Sequence, residues 1–194
     1  MNISEINKSF VWLQARTGSV HCVKVLKNYG FSTYKKTPDG LKVIPLNNNH
    51  SFDYPSGHKD YIFLSTARNP FSRILSFYKF NHKNPNIWSP ESFQNYFYMN
   101  FPKTTLRCII WPFKERTPDY FIRIENLYDD YNKIPFIANS DFDKLVQIRN
   151  LCSIKDNDTD VINDVDKYFT QEIKDIIFSC SQDYCSMLNY DYPF

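Results

Sequence analysis

The residues of this chain best suited to chemistry lie in two short segments, each directly behind an apolar run. The first is Arg16-Thr17-Gly18-Ser19, between the apolar residues 9–15 and an amphipathic stretch at 19–29. A strand that turns tightly into a helix leaves the first backbone N–H groups unpaired, and with the helix dipole they make an anion site. Gly18 permits close backbone approach, Thr17 and Ser19 offer hydroxyls, and Arg16 adds a permanent charge. The chain has only 4 glycines and places one of them here, although Thr-Gly-Ser is also an ordinary turn and cap.

The second segment is Arg68-Asn69-Pro70-Phe71-Ser72-Arg73-Ile74-Leu75-Ser76-Phe77-Tyr78. Asn69 is a good N-cap and Pro70 a good first helical residue, so a helix is predicted over 70–82. Arg68 stands at the carboxyl end of the apolar run 61–67, where open α/β sheets bind ligands. Ser72 and Ser76 share a helix face. An arginine fork and a helix hydroxyl aimed at one point make a monophosphate cradle; ion pairs for Arg68 and Arg73 with solvated serines are the plainer alternative. A base has to come from elsewhere, and the chain has 4 histidines, His21, His50, His58 and His82. His50 follows the apolar run 41–46, which sets it at the carboxyl edge of a sheet, and His21 is placed to touch an anion in the first loop. Asp53, Asp60 and Glu125 are reserve bases, with Glu125 read first as a partner of Arg123 or a helix cap.

These residues need a frame of strands and helices. Strands are predicted at 9–15, 41–46, 61–67 and 119–124. Helices are predicted at 19–29 (ended by Gly30), 70–82, near 90–100, at 125–132, at 141–152 and at 168–188. The alternation implies an α/β fold of three layers, a central mainly parallel sheet flanked by helices, in a single domain over 1–194. The aromatic, proline-punctuated segment 83–118 is the candidate lid or acceptor-binding insertion, with Trp88, Tyr96, Tyr98 and Trp111 able to stack on sugar faces or to pack in a core. The acidic stretch 155–166 lacks the glycine and terminal glutamate of a calcium loop and reads as a solvated connector.

Composition narrows the function classes. The chain has 194 residues, is 42% hydrophobic and 23% charged, and has 18% aromatics, which excludes disordered and fibrous classes and supplies rings for a core. A net charge of +2 is too small and too scattered for a nucleic-acid binder. Five cysteines (Cys22, Cys108, Cys152, Cys180, Cys185) form neither a CxxC pair nor a zinc spacing and read as buried free thiols. The absence of a signal pattern or a membrane-length apolar run leads to the expectation of a soluble, cytoplasmic protein without a membrane partner.

Taken together, strand–Arg-Thr-Gly-Ser–helix followed by strand–Arg-x-Pro-x-x-Arg-x-x-Ser-x-Tyr resembles the sulfotransferases that use 3′-phosphoadenosine 5′-phosphosulfate (PAPS), the carbohydrate-type members among them. Asp119 to Leu127 is similar to that family's later core strand and Glu-x-Leu turn. Tyr168 to Tyr190 is similar to its closing helix. The resemblance implies a P-loop NTPase-like sulfotransferase fold. It implies that Arg16, Thr17, Gly18, Ser19, Val20 and His21 hold the 5′-phosphosulfate, and that Arg68 and Ser76 hold the 3′-phosphate. A histidine upstream of the Arg-x-Pro motif acts as base in family members that use one, and His50 has that place; Arg16 is the second catalytic candidate. The co-substrate is PAPS, the product is 3′-phosphoadenosine 5′-phosphate (PAP), no metal is demanded, and the acceptor is a hydroxyl, more readily of a glycan than of a tyrosine. Three departures stand out: Arg16 where many members have Lys, Asn69 where Asp is usual, and Asn189 where the family closes with Gly. All three substitutes can serve the same physical role. The alternatives are a non-catalytic nucleotide-binding module of the same fold, or a P-loop nucleotide kinase, which requires a GxxxxGK[ST] loop and Mg²⁺-binding carboxylates that are not visible here.

Overall fold

Connections of two lengths divide the strands of this chain into two kinds. The computed structural model describes residues 2–37, 40–46, 57–110, 116–153 and 165–191. In chain order its elements begin with β1 (Asn2–Ser4), β2 (Ser9–Trp12), α1 (Ser19–Leu26), β3 (Ser32–Thr37), β4 (Gly40–Pro45) and β5 (Ile62–Ala67). There follow α2 (Pro70–Asn81), α3 (Pro90–Asn100), α4 (Lys103–Ile110), β6 (Tyr120–Arg123) and α5 (Leu127–Tyr131). The last elements are α6 (Pro135–Ala138), α7 (Phe142–Ser153), α8 (Val165–Tyr168) and α9 (Gln171–Leu188). The result is an α/β protein with a mixed six-stranded sheet, ordered β4-β3-β1-β2-β5-β6, flanked by helices.

The sheet is mixed, not mainly parallel as the sequence predicts. Strands β2, β5 and β6 are parallel, with Val11 opposite Leu64 and Thr66 opposite Ile122. The pairs β1–β2, β1–β3 and β3–β4 are antiparallel. The turn at 5–8 joins β1 to β2, and residues 38–39 alone separate β3 from β4. Connections that short can only return the chain antiparallel, whereas the parallel strands are linked through helices.

The chain divides into two compact units, Met1–Arg68 with Lys114–Asp156, and Asn69–Phe113 with Asn157–Phe194. The first holds the sheet with α1, α5, α6 and α7. Val11, Leu64 and Ile122 of the parallel strands share a core with Val25 and Leu26 of α1, Tyr131 of α5 and Ile148 of α7. On the other sheet face Phe10 and Phe63 stack with centroids 4.6 Å apart. Helix α1 runs into a 3₁₀ turn and stops at Gly30, whose φ of 70° is the left-handed end predicted for it.

The second unit is helical, built from α2, α3, α4, α8 and α9. Its core is made of rings: Phe93 lies 4.6 Å from Phe169 and 5.3 Å from Tyr78, centroid to centroid. Residues 83–113 belong to this unit and carry α3, which was predicted, and α4, which was not. Trp88 Nε1 donates to the His82 carbonyl at 2.6 Å, and Asn81 Nδ2 donates to Tyr96 Oη at 2.6 Å, so both rings have structural partners. Tyr98 is half-exposed, and Trp111 lies outside the described residues. The predicted closing helix is broken before α9, where Thr170 Oγ1 accepts from Ile173 N–H at 3.3 Å. Asn189 ends α9 with φ 53°, as its place in the closing motif implies. No helix among the described residues is long and apolar enough to cross a membrane.

Candidate anion-binding site

Because β2, β5 and β6 are parallel, their carboxyl ends reach one edge of the sheet, and a turn into a helix follows each. All three ends belong to the first unit. Behind β2, residues 15–18 make the tight turn into α1, with Arg16 at φ 62° and Gly18 at φ 75°. Gly18 suits this place twice over. Its φ disfavours any side chain, and a Cβ here would meet Ile124 Cδ1 at 3.1 Å. As the N-cap of α1 it also brings no capping oxygen, so the Ser19 and Val20 amides receive none from it.

Thr17 behaves differently from the expectation. Its side chain is fully buried, its Oγ1 donates to the Gln14 carbonyl at 2.7 Å and lies 2.5 Å from Thr66 Oγ1, and Gln14 N–H donates to Thr66 Oγ1 at 2.8 Å. Its hydroxyl is therefore a strut beneath the loop, and only its backbone is left for an anion. The His21 side chain is likewise turned inward. The ring is buried 5.9 Å from Tyr131, and its Nε2 lies 3.7 Å from Cys152 Sγ. Ser19 is buried and Val20 exposed, and the apolar Val20 side chain leaves only its backbone N–H as a group that could meet an anion.

Two guanidinium groups remain. Arg16 is half-buried, and burial lowers its pKa from the ordinary value, though arginine remains a cation at neutral pH. Arg68, directly behind β5, is buried and its Nη1 donates to the Arg16 carbonyl at 3.3 Å. The two segments singled out from sequence are thus in contact through Arg68.

Behind β6, Ile124 packs on Gly18 and is fixed by a network the sequence did not reveal. Asp130, 2% exposed, accepts from Arg123 Nε at 2.8 Å, Arg123 Nη2 at 2.7 Å, Arg123 N–H at 2.9 Å and Lys133 Nζ at 3.0 Å. Burial alone would raise this carboxyl, but the hydrogen bonds from Arg123 and Lys133 outweigh it and hold it below the usual carboxylate range. Glu125, read from sequence as a partner of Arg123 or a helix cap, is exposed at the 3₁₀ turn behind β6. Under the same loop, Tyr131 Oη donates to Cys22 Sγ at 3.2 Å, and burial pushes Cys22 up to about 12 and Cys152 up to about 11, so both remain thiols.

In the second unit, Asn69 Oδ1 accepts from the Phe71 and Ser72 amides at 3.0 and 3.3 Å, as an N-cap should. Ser72 Oγ returns to the Asn69 carbonyl at 3.1 Å, Ser76 is fully buried, and the buried Arg73 lies 5.9 Å over the Phe77 ring. Of the histidines, His58 precedes β5 at the amino edge of the sheet, with Nε2 3.7 Å from Glu5 Oε1. His82 Nδ1 lies 3.0 Å from the Tyr78 carbonyl at the end of α2. His50, Asp53 and nearly all of the acidic stretch 155–166 lie outside the described residues.

Among the described residues no group of three or more His, Cys, Asp or Glu side chains could hold a metal ion. No family model matches the chain, and neither a curated protein nor a solved structure does. What the geometry offers is a loop edge with uncapped helix amides and two arginines, suited to a phosphate-bearing ligand.

Proposed function

We propose that this chain is a sulfotransferase of P-loop-like fold that moves a sulfuryl group from PAPS to a hydroxyl acceptor, with a carbohydrate as the first acceptor class to try. One observation carries the reading: Arg68, behind β5, donates to the carbonyl of Arg16, behind the neighbouring parallel strand β2. The two halves of the motif, far apart in sequence, thereby supply cations to one sheet edge. In the reaction the acceptor oxygen attacks sulfur, the bond from sulfur to the bridging phosphate oxygen breaks, and PAP leaves with that electron pair. Arg16 and the amides of residues 17–20 neutralise the charge gathering on the departing phosphate, and Arg68 holds the 3′-phosphate. The acceptor's proton goes to a base, assigned to His50 from its place in the sequence.

Calorimetric titration with PAP beside ATP and Mg²⁺ tests this. PAP is expected to bind and ATP not. In His50→Ala, PAP binding is expected to persist while transfer of labelled sulfate to sugar acceptors drops by about 10²–10⁴. A preference for ATP would make the protein a phosphotransferase instead. Binding of neither nucleotide would leave a scaffold, and unchanged turnover in His50→Ala would remove that histidine from the mechanism.

A further inference from the structure

Three buried groups at the base of the loop account for one another's protons. Thr17 Oγ1 gives its single proton to the Gln14 carbonyl at 2.7 Å, so across the 2.5 Å contact it can only accept from Thr66 Oγ1. Thr66 has one proton, which therefore goes to Thr17, while its oxygen accepts from Gln14 N–H at 2.8 Å. Donor to acceptor, the bonds close a ring from Gln14 N–H to Thr66 to Thr17 and back to the Gln14 carbonyl. Each member donates once and accepts once within it, in surroundings where such bonds reinforce one another. The ring ties the last turn of β5 to the loop behind β2. Two residues beyond Thr66, the bond from Arg68 to the Arg16 carbonyl makes a second tie between the same segments.

We infer that Thr66 is a positioning residue of the donor site: through this ring it fixes the loop at 15–18 against the segment bearing Arg68, so that the groups for the 5′- and 3′-phosphates are held as one unit before the nucleotide arrives. This rests on the sulfotransferase reading. Thr66 is fully buried and acts through Thr17 and Gln14. The hydroxyl carries the effect, not the shape of the side chain. Valine keeps the shape but leaves Gln14 N–H without its acceptor and Thr17 without its donor, whereas serine restores both.

The test is PAP titration of the wild type, Thr66→Val, Thr66→Ser, Arg68→Ala and the Thr66→Val/Arg68→Ala double variant, at a temperature where circular dichroism shows each to be folded. Thr66→Val is expected to weaken PAP about tenfold or more, and Thr66→Ser by less than about threefold. The double variant is expected to lose less than the product of the two single losses, because both substitutions loosen one link. A merely structural threonine would lower thermal stability and leave affinity alone, and that outcome overturns the inference. So do equal losses in the Val and Ser variants, or strictly multiplicative losses in the double. Should Thr66→Val not fold, Thr17→Val against Thr17→Ser poses the same question from the other side of the ring. A wild type that binds no PAP overturns the sulfotransferase reading and this inference with it. A wild type that binds PAP beside an unaffected Thr66→Val overturns the inference alone.

Discussion

Helices α1 and α2 each follow a parallel strand of the same sheet, yet they begin in opposite ways. The start of α2 is closed by its own chain. Asn69 Oδ1 takes the amides of Phe71 and Ser72, Pro70 has no N–H to satisfy, and Ser72 Oγ returns to the Asn69 carbonyl. The start of α1 has Gly18 in the capping place, with no side chain to offer, while the neighbouring Thr17 spends its hydroxyl on Gln14 and Thr66. A helix start filled by its cap has little left for an anion, and one left open by a glycine retains its amides. The two motifs thus differ in kind. The first offers backbone donors at a helix end, and the second offers the arginine that precedes its helix.

The largest effect is expected one step behind the open end, at Asp130. Its carboxylate holds Arg123, and the next residue, Ile124, is the one that packs on Gly18. Asp130→Ala takes the buried carboxylate away from the largely buried Arg123 side chain and removes the acceptor of the Arg123 amide, while the exposed Lys133 is left solvated, and together this is expected to cost about 3 kcal/mol in urea unfolding. The carboxyl is held below its ordinary value in the folded protein. Its contribution is therefore complete above the unfolded pKa of about 3.9 and is lost as pH falls through the lowered folded value. Asp130→Asn should accordingly flatten the acid side of the stability curve. An unchanged acid slope would mean that the network does not stabilise the turn that supports Gly18.

Gly18→Ala attacks the open end directly. The left-handed backbone costs an alanine about 1–2 kcal/mol, and Ile124 must yield to the new methyl group, so a total of about 2 kcal/mol is expected. PAP affinity is expected to fall along with stability, by about tenfold or more. Gly30→Ala serves as the control. It has nearly the same φ, at 70°, and its Cβ would meet Ile6 Cδ1 at 3.0 Å, but it lies at the far end of the same helix system. Similar destabilisation with unaltered PAP binding in Gly30→Ala would tie the affinity loss to the open end. Equal affinity losses in both variants would break that tie.

Local signals made part of this architecture legible. Asn69-Pro70 marks a helix start, and Gly30 and Asn189 mark helix stops, because cap and left-handed preferences belong to single residues. Strands β1 and β3 were missed for the opposite reason. Three residues make no pattern, and Ser32-Thr33-Tyr34-Lys35-Lys36-Thr37 is too polar to read as a strand. Each is held by pairing, Asn2 opposite Thr33 among others. The turn composition of Thr37-Pro38-Asp39-Gly40 was the available sign that β3 and β4 form a hairpin. At the site, Arg16, Gly18 and Arg68 were legible as a motif. The direction of the Thr17 hydroxyl was not, since it depends on Thr66, 49 residues away. Nor was the Arg123–Asp130 pair, whose seven-residue spacing spans a strand, a 3₁₀ turn and a helix and has no periodic signature.

The smallest effect is expected at the closed end, where it sharpens the comparison most. Asn69→Ala removes the oxygen that takes the Phe71 and Ser72 amides, which should cost about 1 kcal/mol of stability, while Asn69→Asp should cost almost nothing because the two caps are comparable. If the second motif works through its arginine, neither substitution should change PAP affinity measurably, since the amides they expose or recap do not serve the ligand. A fall in PAP affinity for Asn69→Ala matching that of Gly18→Ala would place the amides of α2 in the donor site as well. The distinction between an open and a closed helix start would then lose its functional meaning, and the two ends would be one device used twice.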